Sequence, residues 1–240
     1  MKKAHQVAYL LFALAAIADL WMISSDTGHR YFTKPLLMPL LALGYGLETR
    51  SRDPLTRRVL AALFFSWLGD IFLMLEDPGG RYFIIGLVSF LTAHLCYIWY
   101  FSRIPATEGR SFVRHRPILL LAVLAYVVEL LYVLWPHLGG MKVPVLVYGI
   151  VIGTMLCFAF WQYGKVETRA ARLLMLGAFL FVVSDSLLAI NKFRKPLPYG
   201  GFLVMLTYIL AQYAIVRGSA RERRAALSPA SPEIEVERDT

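Results

Sequence analysis

The chain has 240 residues, 58% of them apolar and 17% charged, with 25 Lys+Arg against 16 Asp+Glu and a formal charge of +9. Its mean hydropathy is +0.57, whereas soluble domains carry about 25% charged residues. The charges cluster in short stretches between long apolar runs, which excludes a soluble domain, a nucleic-acid binder with a basic groove, a small secreted scaffold and a mainly disordered chain.

Eight apolar stretches follow in chain order: 6–23, 31–47, 58–75, 82–101, 117–135, 142–162, 170–190 and 200–217. Each is close to the roughly 20 residues that cross a bilayer as a helix, and lipid offers the backbone no other hydrogen-bond partners. The first stretch follows Lys2-Lys3 and holds small residues from Ala13 to Ala18, but Leu20-Trp21-Met22-Ile23 carry the apolar run past them. It therefore reads as a retained span and not a signal peptide. Cys96 and Cys157 both sit inside apolar runs, away from any disulfide framework. The spacers hold Gly, Pro and charge, as in Asp77-Pro78-Gly79-Gly80 and His137-Leu138-Gly139-Gly140. The expected fold class is all-α, a polytopic bundle of eight transmembrane helices in one domain over 1–217. Residues 218–240, basic and then acidic, read as a disordered cytoplasmic tail.

Charge asymmetry sets the orientation. Eighteen of the 25 Lys+Arg fall on the side that carries both termini, six fall opposite, and Lys34 lies just inside the second span. Both termini are thus expected in the cytoplasm, and in a bacterium the membrane would be the inner one. One outer loop breaks the pattern: Asn191-Lys192-Phe193-Arg194-Lys195 places three cations where few belong. It reads equally as noise in a short loop or as an anion site.

An ionisable group inside a span costs on the order of 3 kcal/mol, so it points to function. The candidates are Asp19, Lys34, Asp70, His94, Glu129 and Asp185, with Asn191, Tyr208 and Gln212 as neutral companions. At about 1.5 Å per residue, Asp70 and Asp185 each lie roughly 9 Å below the outer boundary, Asp19 about 8 Å, Lys34 about 5 Å, Tyr208 about 12 Å, and His94 and Gln212 about 18 Å. These depths describe a polar funnel that opens outward and narrows toward His94, with the basic loop at its mouth. Bland readings stand beside each residue. Asp19 and Lys34 can simply pair near the interface, His94 can be a core histidine, and Glu129 can face a neighbouring helix or a partner subunit. Asp70 and Asp185 resist such readings, because two carboxyls at matched depth suit a divided acid and base role. No GxSxG, Walker A or HExxH pattern occurs. Only one of the five histidines is deep in a span, so a three-His metal site within the bilayer is excluded. A mononuclear Asp70/His94/Asp185 site stays open as an alternative.

Lys34-Pro35, Phe65-Ser66-Trp67-Leu68-Gly69-Asp70, Thr92-Ala93-His94, Ser184-Asp185-Ser186 and Ala189-Ile190-Asn191-Lys192-Phe193 with Pro196-Leu197-Pro198 form a set, completed by Tyr208 and Gln212 on one face of the last span. The set resembles the YhhN-like family of integral membrane proteins, which includes the animal lysoplasmalogenases, and the resemblance runs from the first span to the eighth. It implies hydrolysis of a lysoplasmalogen vinyl ether to a fatty aldehyde and glycerophosphoethanolamine or glycerophosphocholine, with no cofactor and no metal. In such chemistry a protonated carboxyl delivers a proton to carbon, and a second carboxylate steadies the cation and activates water. Asp70 and Asp185 fit these roles in either order, with His94 orienting a carboxylate or water. Lys34 and Lys192 suit the lipid phosphate, Asn191 the glycerol hydroxyl, and Tyr208, Gln212 and Asp19 complete the substrate-binding group. The expected partners are a lysophospholipid and the bilayer, without nucleic acid; a homo-oligomer is compatible. The competing reading is a proton-coupled lipid or small-molecule transporter, which buried Asp and Lys also serve, and a purely structural protein is a third.

Overall fold

The computed structural model describes residues 3–25, 30–49, 53–75, 80–106 and 118–227. The Asp77-Pro78-Gly79 turn, the boundary residue Glu76, the basic residues Lys2, Arg50, Arg52, Arg110, Arg114, Arg116 and Arg238, and the tail from 228 onward lie outside them. The described residues fold into eight α-helices: α1 (Ala4–Ser24), α2 (Arg30–Thr49), α3 (Pro54–Met74), α4 (Arg81–Arg103), α5 (Ile118–Leu134), α6 (Lys142–Phe160), α7 (Thr168–Ala189) and α8 (Gly200–Leu227). Two single 3-10 turns join α5 to α6, and a π-turn over Ile190–Arg194 closes α7.

Six of these helices, all but α2 and α3, are long and apolar enough to cross a membrane. Their outward faces stay apolar, with Leu10 59%, Ile17 66%, Ile150 55% and Phe179 50% exposed. The chain is an integral, multi-pass membrane protein. Helices α2 and α3 are less apolar because they carry Lys34, Glu48, Arg57, Arg58 and Asp70.

Chain neighbours pack in pairs, α1 on α2, α3 on α4 and α7 on α8, and α2 touches both α3 and α8, which joins the first half of the chain to the last. Helix α5 packs chiefly on α6 at the edge of the bundle. Two glycines set the closest approaches. A Cβ on Gly69 would lie 2.6 Å from the Phe90 ring, and one on Gly177 would lie 2.8 Å from the Ala211 carbonyl oxygen and the Ile215 nitrogen. Glycine therefore lets α3 meet α4, and α7 meet α8, almost backbone to side chain or backbone to backbone.

Two helix starts are capped by acids. The Asp53 carboxylate accepts from the Thr56 backbone N–H at 2.9 Å ahead of Pro54, and Glu167 accepts from the N–H groups of Arg169 and Ala170 at 3.0 and 2.9 Å.

The last helix corrects the expected boundary at 217. It runs ten residues further, to Leu227, so the first part of the expected tail is helical. The reason is partnering. Glu48 of α2, its side chain 1% exposed, takes Arg217 and Arg224 at 2.6 Å each and the Tyr9 hydroxyl at 2.6 Å. Ser219 shares a 2.9 Å hydrogen bond with Tyr45, Tyr100 donates to Glu222 at 3.2 Å, and Arg221 meets Glu167 at 2.9 Å. At 28 residues the helix is about 42 Å long, well beyond the roughly 30 Å hydrocarbon layer, and these contacts hold its polar end against the bundle.

Candidate active site

Helix α2 contains Pro35 and Pro39. Proline has no N–H, so Pro39 leaves the carbonyl of Pro35 without its helical donor. The Trp67 indole N–H of α3 fills that place at 2.9 Å. This bond fixes α2 against α3 beside Lys34, whose ammonium stands 3.3 Å from Asp70 Oδ1. The Tyr208 hydroxyl of α8 donates to Asp70 Oδ2 at 2.7 Å. Both members of the ion pair are buried, with side chains 9% and 2% exposed.

Asp185 anchors a second cluster. The Tyr148 hydroxyl of α6 donates to its Oδ2 at 2.9 Å, and His94 Nε2 of α4 approaches the same oxygen at 3.3 Å. Neither ring nitrogen of His94 makes a well-aligned hydrogen bond. The ring is held edge-on by Phe181 and Tyr148, at centroid separations of 4.5 and 5.4 Å. Asp185 has no Lys or Arg in ion-pair reach among the described residues. It lines a cavity of about 40 Å³ with Leu73, Phe83, Leu87, Phe90 and Phe193, an apolar chamber with room for water. Lys192 neighbours one of the lining residues, its ammonium 4.9 Å over the Phe83 ring.

The two carboxylates thus belong to separate clusters. Phe181 bridges them, 5.6 Å from Tyr208 on one side and 4.5 Å from His94 on the other. No three His, Cys, Asp or Glu side chains converge among the described residues, so the Asp70/His94/Asp185 metal alternative does not assemble. The depth estimates put His94 about 9 Å inward of Asp185, yet the two touch. The helical geometry of α7 continues through the π-turn to Arg194, three residues past Asn191, which accounts for about 4 Å of that difference.

Asp19 and Lys34 do not pair. Asp19 is fully buried and accepts from the Thr33 hydroxyl at 2.9 Å and from Arg30 at 3.4 Å, while Lys34 turns to Asp70. Residue 33 precedes 34 by about 100° on a helix, so the two face different neighbours. Gln212 is enclosed between the Tyr97 hydroxyl, which donates to its Oε1 at 2.6 Å, and Ser66, which accepts from its Nε2 at 2.9 Å. Asn191 Oδ1 accepts from the Leu197 backbone N–H at 2.8 Å and shapes the loop after the π-turn. Lys192 is exposed. Tyr148 and Phe181 escaped the sequence reading. With 13 Tyr and 15 Phe in the chain, nothing in their spacing separates them from packing residues.

The profile of the YhhN family matches residues 29–219. The chain belongs to that family. The bovine (Bos taurus) protein named lysoplasmalogenase TMEM86A is 32% identical over 194 residues, 77% of this chain and 74% of the relative. Human (Homo sapiens) lysoplasmalogenase TMEM86B is 34% identical over 166 residues, 69% and 65% of the two chains. A Mycobacterium tuberculosis protein named lysoplasmalogenase is 30% identical over 179 residues, 73% and 65%. No solved structure matches this fold at a significant level.

Proposed function

We propose that this YhhN-family chain is a lysoplasmalogenase, an intramembrane ether hydrolase that splits the vinyl ether of a lysophospholipid into a fatty aldehyde and a glycerophosphodiester. The observation that carries this reading is Asp185. It faces an apolar chamber, Tyr148 and His94 reach its carboxyl group, and the Lys192 ammonium lies over Phe83, one of the chamber's lining rings. The lysoplasmalogenase names of its relatives give the substrate class.

The chemistry follows from the placement. Asp185, in its acid form, gives its proton to the alkenyl carbon one bond from the ether-bearing carbon. The double-bond electrons form the new C–H bond, and an oxocarbenium ion results. Water then adds to the ether-bearing carbon and returns a proton to the Asp185 carboxylate, so the acid is restored. The hemiacetal breaks its C–O bond as a proton passes to the glycerol oxygen, leaving aldehyde and alcohol. A buried carboxyl without a cation partner suits the donor role, because its neutral form costs least in an apolar chamber. Tyr148 and His94 aim the group. Asp70, already compensated by Lys34 and Tyr208, acts in this reading as a positioning residue behind the Phe90 and Phe181 rings. Lys192, over the Phe83 ring, binds the lipid phosphate.

In this reading the chain makes eight spans with both termini cytoplasmic, an orientation that the lysine and arginine asymmetry supports. Purified protein in detergent or liposomes, given a lysoplasmenyl-ethanolamine or -choline, is expected to release fatty aldehyde, and to do so after treatment with EDTA or 1,10-phenanthroline. Absence of aldehyde together with proton-dependent lipid movement in liposomes would instead support the transporter reading.

A further inference from the structure

The chemistry leaves one intramembrane carboxyl unused. Glu129 lies five residues before the end of α5 at Leu134, about 7.5 Å inside the helix. Helix α5 buries Val123, Val127 and Leu134 against the bundle. Ala122, Ala125, Glu129 and Tyr132 are all exposed on the rest of its surface, with Ala122 at the margin of a groove shared with α6 and α7 and Tyr132 at the margin of another shared with Leu146 and Arg194. Tyr132 is 80% exposed. Among the described residues Glu129 has no hydrogen-bond or ion-pair partner, and no other described helix exposes an Asp, Glu, Lys or Arg side chain in its middle. A carboxyl in that position faces lipid in an isolated copy, which is the costly arrangement for any such group.

We propose that this face of α5 is where a second copy of the chain docks. The spacing 122–125–129–132 alternates three and four residues, the seam of two helices that pack side by side. Ala122 and Ala125 let the two backbones approach closely. The polar groups make the seam complementary to itself. A two-fold axis along the membrane normal sets Glu129 of one copy beside Glu129 and Tyr132 of the other, so a carboxyl and a phenol satisfy one another without a group from any third molecule. A different protein would have to supply a donor that this seam already holds. The Tyr126 hydroxyl is engaged inside its own copy, donating to Ser186 at 2.8 Å, and so Tyr132 is the phenol available.

The test uses the full chain in native membranes with Cys96 and Cys157 changed to Ser. Ala122→Cys, Ala125→Cys and Tyr132→Cys are expected to form disulfide-linked dimers on oxidation. Leu10→Cys on α1 and Leu176→Cys on α7 face lipid equally and are expected to stay monomeric. In co-purification of two differently tagged copies, Glu129→Leu is expected to lower recovery on the order of fivefold or more, the scale of one interhelical hydrogen bond, and Glu129→Gln to keep most of it. Since residue 129 is exposed and makes no hydrogen bond or ion pair in its own copy among the described residues, neither change is expected to threaten the fold. Equal cross-linking at all five positions, unchanged co-purification with Glu129→Leu, or cross-linking of Ala125→Cys to another protein would each overturn the proposal.

Discussion

Lys34 and Asp70 neutralise each other in a place where neither tolerates being alone. Asp70→Asn keeps the shape of the carboxylate but strands a buried ammonium, and removing one member of such a pair costs about 3–5 kcal/mol. Lys34→Met strands the carboxylate in the same way. The double variant Lys34→Met/Asp70→Asn is expected to recover most of that loss, measured as thermal unfolding in detergent. Additive losses would mean that the 3.3 Å contact contributes nothing. Asp185 gives the opposite pattern. With no cation beside it, Asp185→Asn is expected to leave the melting temperature within a few degrees of the parent while vinyl ether turnover falls about 10²- to 10⁴-fold, the usual contribution of a positioned proton donor. Tyr148→Phe removes one hydrogen bond to that carboxyl and is expected to reduce kcat about 10- to 100-fold, as a bond to an ionisable group of about 1.5–3 kcal/mol implies. Turnover close to normal in Asp185→Asn would take this residue out of the chemistry.

Among the elements, α2 offers the sharpest test. Trp67 donates to the carbonyl that Pro39 leaves free, so the two residues are coupled although no contact between their side chains is needed. Trp67→Phe is expected to destabilise the protein by about 1–3 kcal/mol, the cost of an unsatisfied buried acceptor. In a Pro39→Ala background the residue 39 N–H can serve the Pro35 carbonyl, and the same Trp67→Phe change is expected to cost much less. A double-mutant cycle by thermal unfolding reads the difference; zero coupling energy would refute the account. This bond also marks the limit of the sequence. Pro39 announces an orphaned carbonyl at residue 35, but only the fold says that Trp67 reaches it. The intramembrane ionisable residues were legible because burying charge is expensive whatever the fold, and Asp70, His94 and Asp185 stood out for that reason. Their assortment into two clusters was not legible, since it depends on which faces α2, α3 and α8 on one side, and α4, α6 and α7 on the other, turn toward one another. The end of α8 was misread because Arg217, Arg221, Arg223 and Arg224 look solvated in one dimension. Glu48 and Glu167, which hold Arg217, Arg224 and Arg221, lie at least 50 residues away in sequence.

For the molecule as a whole, the proposed eight-span arrangement predicts opposite exposure of consecutive helix ends. With the native cysteines replaced, Arg103→Cys at the end of α4 is expected to label with an impermeant maleimide only from the cytoplasmic side. Lys195→Cys, just after the π-turn, is expected to label only from the other side. Labelling of both from one face would require a different number of crossings between them. The same proposed arrangement bears on where the chemistry meets the bilayer: with Lys192 on the outer side, lipid is expected to reach Asp185 from the outer leaflet with its head group near Lys192.

The Lys34–Asp70 pair also has a consequence for biogenesis. Of the eight described helices, α2 and α3 alone fall short of the apolar character of a spanning segment, and they are consecutive in the chain. Each carries one half of the ion pair, so each presents a lone charge to lipid if it emerges without the other. The part of that shortfall due to Lys34 and Asp70 is offset when the ammonium meets the carboxylate, and the Trp67 indole meets the Pro35 carbonyl in the same contact. Helices α2 and α3 are therefore expected to leave the translocon together, as a hairpin whose halves wait for one another. In a glycosylation reporter, α3 alone is expected to insert poorly, α3 with Asp70→Leu to insert well, and the native α2–α3 hairpin to insert as efficiently as that variant.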